Sequence, residues 1–312
     1  MAKPFVKWAG GKGKLIPQLV TMLPPDWYFR KINYVEPFVG GGAMLLYVLK
    51  RFPNVQHAVI NDINPHLVNA YRVIKERPRE LVSVLSQMQN SYLQNSDEEQ
   101  RKASFLNVRD TFNQGNLTDV QDAACLLFLN KTCFNGLYRE NSRGKFNVPF
   151  GKYVNPLICD EQTIMEDSEL LQRVEILNGD YQSTLDCIDD YTFFYFDPPY
   201  RPLSTTSNFN SYASGGFDDD EQRRLKAFCD EITSRGCQFM LSNADCSAVN
   251  PQDDFFEKLY SDYEIHRVLA ARSINSKPDR RGKITELLIC NYKQESFLTY
   301  AAEEPVEYQK LK

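Results

Sequence analysis

The sequence is poor in histidine and has no paired cysteines. His57, His66 and His266 are scattered along 312 residues, and none of the eight cysteines (at 125, 133, 159, 187, 229, 237, 246 and 290) forms a Cys-x-x-Cys pair. Metal-ligand spacing is therefore missing, no metal is expected, and free, mostly buried thiols are expected instead. No apolar run approaches the roughly 20 residues that span a bilayer, which argues against a membrane-embedded chain. The opening residues, Met1-Ala-Lys-Pro-Phe-Val-Lys7, carry no apolar signal-peptide core, so a cytoplasmic location is the expectation. An internal repeat and a low-complexity tract are also lacking. So is an excess of positive charge: the formal net charge is −5, which taken alone argues against a nucleic-acid partner.

The distribution of charge says more than its sum. Residues 131–153 carry Lys131, Arg139, Arg143, Lys145 and Lys152 against Glu140 alone, and residues 272–283 carry Arg272, Lys277, Arg280, Arg281 and Lys283 against Asp279. Acid is concentrated elsewhere, at Asp97-Glu-Glu99, Asp218-Asp-Asp-Glu221 and Glu303-Glu304. Two basic segments on an acidic body can hold phosphates locally, although two solvated loops explain the same pattern.

Seven short runs of aromatic and β-branched residues predict buried strands, near 34–36, 58–61, 174–177, 193–196, 238–241, 265–269 and 286–290. Helical patterns at 42–51, 65–75 and 219–235 lie between them. Strand–helix alternation predicts an α/β fold with a mostly parallel sheet and helices on both faces. The alternation breaks once. Residues 76–172 hold helical patterns at 78–90, 98–112 and 119–131, then a polar stretch, Asn135-Gly-Leu-Tyr-Arg-Glu-Asn-Ser-Arg-Gly-Lys-Phe-Asn-Val-Pro149. Within it, residues 146–150 are expected to pair back across Ser142-Arg-Gly144 as a hairpin. The domain division expected is 1–75 with 173–295 as one unit, 76–172 as a helical insertion with a basic, aromatic tip, and 296–312 as a polar tail.

Four motifs can carry chemistry. Glu36-Pro-Phe-Val-Gly-Gly-Gly42 follows a strand and opens a helix, so its glycines admit close backbone approach by a ligand and the helix start offers free N–H groups. It is not the G-x-G-x-x-G dinucleotide fingerprint. Asn61-Asp-Ile-Asn64 ends the next strand; Asn64 suits a helix cap before Pro65, which leaves Asp62 to accept from ribose hydroxyls. Lys7-Trp-Ala-Gly-Gly-Lys12 fails the phosphate-loop pattern, because Leu15 follows Gly13-Lys14, yet a Trp, a Gly-Gly turn and a Lys can enclose a small charged ligand. Asp197-Pro-Pro-Tyr200 follows Phe193-Phe-Tyr-Phe196, a run too apolar for anything but a central strand. Its prolines fix φ and remove two N–H donors. What remains is a stiff edge rich in acceptors, the Asp197 carboxylate and the backbone carbonyls, beside the flat ring of Tyr200. That edge suits a planar ring bearing an amine.

Taken in order, the Lys7–Lys12 motif, the Gly-rich turn, the insertion and Asp197-Pro-Pro-Tyr200 resemble the α-group (D12 class) DNA adenine methyltransferases of the Dam and DpnM type. The resemblance runs over residues 4–292. It implies a Rossmann-like, seven-stranded, S-adenosylmethionine-dependent methyltransferase fold whose insertion reads the DNA target and carries a β-hairpin. It implies transfer of a methyl group from S-adenosyl-L-methionine to adenine N6 in double-stranded DNA, with GATC as the site, S-adenosyl-L-homocysteine as the product and a monomer as the acting form. Relatives of this type belong to restriction–modification systems or act alone.

By position, the resemblance assigns Trp8, Lys12, Phe38, Gly40 and Asp62 to the cofactor. Asp180, in Asn178-Gly-Asp-Tyr181, falls where a residue reads the cofactor's adenine. Asp197, Pro198 and Tyr200 fall on the catalytic motif, with Asp197 also against the cofactor. Among the DNA-binding positions, Arg139 matches a guanine reader, Leu137 and Pro149 match contacts near a thymine methyl, and Lys7 matches a contact to the first guanine. Asn135 lies within the same reading segment. Phe134 stands where some members place a Tyr that wedges into the duplex. Arg143, Lys145, Lys152 and the 280–283 segment are expected at phosphates. Two rival readings are a related enzyme acting on an amine in RNA or protein, and a DNA binder that has kept the fold without activity.

Overall fold

The computed structural model describes residues 3–202, 217–270 and 284–294. Seven strands form one sheet: β1 Ile32–Glu36, β2 Val55–Asp62, β3 Val174–Asn178, β4 Thr192–Phe196, β5 Gln238–Ala244, β6 Glu264–Ala270 and β7 Ile284–Cys290, in the order β3-β2-β1-β4-β5-β7-β6. Strands β1 to β5 run parallel, and β7 runs antiparallel to both β5 and β6. All seven expected strands are present, and the alternation of strand and helix forces the parallel pairing, because a parallel neighbour needs a crossover.

Nine helices are described: α1 Ile16–Thr21, α2 Ala43–Arg51, α3 Pro65–Glu76, α4 Pro78–Leu93, α5 Glu98–Gln114, α6 Asp119–Thr132, α7 Glu161–Leu171, α8 Asp219–Ser234 and α9 Phe255–Leu259. Asn64 caps α3 by accepting from Leu67 N at 2.9 Å, as expected, and Pro65 occupies its first position. The acid run Asp218-Asp-Asp-Glu221 is the N-terminus of α8: Asp218 accepts from Asp220 N and Glu221 N, and the other carboxylates face the positive end of the helix.

β4 decides where the core sits. Its five residues are all buried. Phe193 and Tyr195 point into the cluster that holds α2, α3 and the insertion helices, while Phe194 and Phe196 point into the cluster under α8. Period-2 alternation thus places two aromatic rings in each layer, and the strand has no solvent face.

Within the insertion, α6 is buried along nearly its whole length and packs against α3, α4 and α5. The expected hairpin is present as isolated antiparallel bridges, Glu140 with Phe146 and Cys133 with Phe150, closed by Asn147 N to Arg139 O at 3.0 Å and Asn141 N to Lys145 O at 2.9 Å. It contains no regular strand. All eight cysteines are free thiols. No described helix is long and apolar enough to cross a membrane. The basic segment 272–283 and the tail 296–312 lie outside the described residues.

Candidate active site

Strand order reverses between β1 and β4, which are neighbours although β2 and β3 intervene in sequence. Open α/β sheets bind ligands at the carboxyl ends of the strands at such a switch point. Glu36-Pro-Phe-Val-Gly-Gly-Gly42 leaves β1 there and Asp197-Pro-Pro-Tyr200 leaves β4 there, so the fold itself brings two of the four motifs together.

The third motif joins them. Lys12, only 5% exposed, places its Nζ 2.8 Å from Asp197 Oδ1, 3.9 Å from Glu286 Oε2 and 4.4 Å from the centroid of the Tyr200 ring. It also donates to Gly10 O at 3.0 Å. The Tyr200 hydroxyl donates to Glu286 Oε2 at 2.7 Å. Burial pushes the Asp197 carboxyl above its ordinary range, and Glu286 adds to the rise; the Lys12 ammonium pulls it back. Burial also holds the Tyr200 phenol neutral, well above its ordinary pKa. Glu286, on β7, carries no motif of its own, and nothing in its sequence neighbourhood marks it.

The Gly-rich turn is tight. Gly40 (φ 48°) and Gly42 (φ 70°) occupy the left-handed region. A Cβ at Gly40 would come within 3.0 Å of Trp8 Cδ1, and one at Gly42 would collide with the Tyr71 hydroxyl. Gly40 N donates to Asp62 Oδ2 at 3.0 Å and Asn64 N donates to Asp62 Oδ1 at 2.9 Å. Burial raises the Asp62 carboxyl, and these N–H groups oppose the rise. Beside Asp62, Ile63 is 78% exposed, an apolar face at the strand end that the motif reading passed over. Phe38 packs on Tyr181, ring centroids 5.1 Å apart. Glu36 is buried, accepts from the Tyr34 hydroxyl at 2.8 Å and is pushed well above its ordinary range by burial.

Asp180 caps the turn after β3. Arg224 grips both its oxygens, at 2.9 and 2.8 Å, and Gln182 N donates to it. Burial would raise this carboxyl, but the Arg224 bonds outweigh it and the group titrates below its ordinary range. Asp180, assigned to the cofactor, thus has both carboxylate oxygens engaged by the protein's own Arg224.

Trp8 links the turn to the insertion. Its ring stacks on Tyr138 with centroids 5.1 Å apart and planes 23° apart. Lys7 is exposed, with its backbone N and O both bonded to the Asn130 side chain, which also donates to Gly136 O. The Lys7 stem lies against Gly136. Phe134 is 52% exposed, its N donates to Pro149 O at 2.8 Å, and Asn135 takes a left-handed φ of 57°. Leu137 is half-buried and Pro149 exposed. Arg139 is exposed and fixed along the hairpin by Nε to Asn147 Oδ1 at 2.7 Å. Lys7, 134–139 and 147–149 therefore form one surface. Lys152 pairs with Glu98 at 2.7 Å and Lys145 donates to Asn113 O, so these two basic side chains also serve the protein's own contacts. Among the described residues, no three His, Cys, Asp or Glu side chains are grouped as a metal site.

This sheet order, with the reversed β7 between β5 and β6, defines the class as a Rossmann-like methyltransferase fold. Within that class the chain belongs to the D12 class N6 adenine-specific DNA methyltransferases, whose family model matches residues 8–274. It is 45% identical to the Type II methyltransferase M.MjaIII of Methanocaldococcus jannaschii, over 93% of this chain and 99% of that one. It is 33% identical to a DNA adenine methylase of Vibrio cholerae (92% and 95% covered) and 30% identical to the DNA adenine methylase of Escherichia coli K12 (92% and 94% covered). The family and the activity class expected from the ordered motifs are thereby established.

Proposed function

We propose that the chain transfers the methyl group of S-adenosylmethionine to the exocyclic amine of an adenine flipped out of duplex DNA, in the sequence GATC. The observation that carries this reading is the cluster of Lys12, Asp197 and Tyr200 at the carboxyl end of β4. A half-buried carboxylate and an aromatic face meet there beside the Pro198 carbonyl of the same segment, and together they match the two hydrogens and the ring of an adenine amine.

The residues present fit the methyl donor. Asp62 offers a carboxylate for ribose hydroxyls and Ile63 an apolar face for the adenine ring. The Gly40–Gly42 turn admits close approach at the start of α2. S-adenosylmethionine would supply a sulfonium methyl and leave as a neutral thioether; the methylated nitrogen, cationic and acidic, sheds one proton to water, so no strong base is called for. Asp197 and the Pro198 carbonyl accept from the amine hydrogens, which draws the nitrogen lone pair out of the ring and aims it. Tyr200 stacks the base, whose extraction from the duplex costs a few kcal/mol. Catalysis is then mostly positioning and electrostatic preorganisation.

Residues 76–172 serve target recognition in this reading, and 1–75 with 173–295 serve cofactor and catalysis. The shared surface of Lys7, Phe134, Asn135, Leu137, Arg139 and Pro149 supports it. Arg139 reads a guanine in the major groove, and Phe134 is exposed enough to enter the duplex. GATC itself rests on the resemblance of residues 135–150 to the family's reading segment. Tritiated S-adenosylmethionine with a GATC duplex and an ATTA duplex tests both levels. Label confined to the GATC duplex, recovered as N6-methyladenine, is expected. Equal labelling or label in neither overturns the site, and label recovered on a base other than adenine overturns the adenine-N6 reaction.

A further inference from the structure

Asp197-Pro-Pro-Tyr200 is hard to hold in place. Its two prolines donate no N–H, so the ordinary means of fixing a loop are missing at the two central residues. Two main-chain groups of the segment and its flank are the Pro199 carbonyl and the Arg201 N–H. Both are taken up by one buried chain of amides. Gln222 Nε2, from α8, donates to Pro199 O at 3.2 Å. Asn243 Nδ2, from β5, donates to Gln222 Oε1 at 3.1 Å. Asn243 Oδ1 accepts from Arg201 N at 3.2 Å and from Ala244 N at 2.8 Å. Gln222 and Asn243 are both completely buried.

The chain has a single direction. Two backbone N–H groups point at Asn243 Oδ1, so that atom is the oxygen and its partner Nδ2 must donate. Gln222 therefore presents its oxygen to Asn243 and its nitrogen to Pro199. Neither amide can turn over without setting acceptor against acceptor in a dry interior, where an unmade hydrogen bond is costly. The Arg201 side chain ties down the far end, through Asp219 at 2.7 Å and Asp253 at 2.6 Å, and lies over Phe255.

We propose that Gln222 and Asn243 form a two-amide relay that sets the position of the 197–200 edge, and that both are positioning residues for methyl transfer. The proposal rests on the reading of Asp197-Pro-Pro-Tyr200 as the catalytic segment. Neither residue faces the substrate; each acts through the Pro199 carbonyl and the Arg201 amide.

Gln222→Glu keeps the shape but cannot donate to Pro199 when ionised, and Gln222→Met removes donor and acceptor without adding charge. Each variant is assayed for thermal unfolding, S-adenosylmethionine affinity by calorimetry, single-turnover methylation of a GATC duplex, and hydrogen exchange at the Arg201 amide. A misplaced edge is expected to slow methyl transfer about a hundredfold. Cofactor affinity should be unchanged and Arg201 should exchange faster. A merely structural role would lower the melting temperature without separating the rate from cofactor affinity. If Gln222→Glu does not fold, Gln222→Met carries the test. Wild-type rate and wild-type Arg201 exchange in a folded variant overturn the relay. Should Asp197→Ala remain active, the catalytic reading of the segment fails, and Arg201 exchange alone then decides whether the relay positions it.

Discussion

The ammonium of Lys12, from the first loop of the chain, lies 2.8 Å from the carboxylate of Asp197 at the end of β4, and the lysine is almost completely buried. Taking one partner from a buried pair is strongly destabilising, by about 3–5 kcal/mol, because the other charge stays without compensation. The pair therefore ties the Lys7–Lys12 motif to the Asp197–Tyr200 segment, and Lys12 opposes the rise that burial imposes on the Asp197 carboxyl.

Lys12→Gln tests that link. Burial raises the Asp197 carboxyl and Lys12 opposes the rise. Without the ammonium the carboxyl titrates higher, so the acid limb of the methylation rate should move to higher pH. An acid limb that stays in place would separate Lys12 from the control of Asp197.

Tyr200 offers two functions that substitution can divide. Its ring is the stacking face in the proposed mechanism, and its hydroxyl is bonded to Glu286. Base–aromatic stacking is worth about 1–3 kcal/mol per base. Tyr200→Ala should lose that much in kcat/KM for DNA, whereas Tyr200→Phe should keep most of it. Equal losses in the two variants would assign the role to the hydroxyl and to Glu286.

Arg139 stands on the exposed tip of the insertion, aligned along the hairpin by Asn147. A bidentate arginine–guanine contact is worth about 1–3 kcal/mol of discrimination. Arg139→Ala should relax selection at one base pair by that amount and leave the other positions of the site selective. Competition between duplexes changed at single positions measures it, and undiminished discrimination would remove the reading role.

Asp167, on α7, is fully buried and neither carboxyl oxygen has a hydrogen-bond partner among the described residues. Burial pushes its pKa from an ordinary 3.8 to about 8. A carboxyl raised in the folded state binds its proton more tightly there than in the unfolded chain. Its contribution to stability is therefore full below 3.8 and is lost as pH rises to about 8. Asp167→Asn should flatten the fall in denaturation midpoint over that window and be the more stable protein at pH 8. A parallel fall in both proteins would contradict the assignment.

The strands were legible because each is a short run of aromatic and β-branched residues, and β4, buried on both faces, is the clearest of them. The long helices of the insertion were legible from their apolar spacing. α7 was not, since its buried face includes Thr163, Asp167 and Ser168, which read as surface. α1 and α9 span six and five residues, too few for a period to repeat. The motifs identified the acceptor edge and the glycine turn, because each is a local device. Glu286, Gln222 and Asn243 meet the Asp197–Arg201 segment through bonds to residues 86, 23 and 42 positions away in the chain, and no local pattern announces a contact of that kind.

In the proposed mechanism Asp197 holds the target amine. Single-turnover transfer of labelled methyl to a GATC duplex by Asp197→Ala, with S-adenosylmethionine affinity measured on the same preparation, tests it most directly. The predicted result is a loss of about a thousandfold or more in rate, with cofactor binding largely retained. Methylation at the wild-type rate by a variant that binds cofactor normally would contradict it.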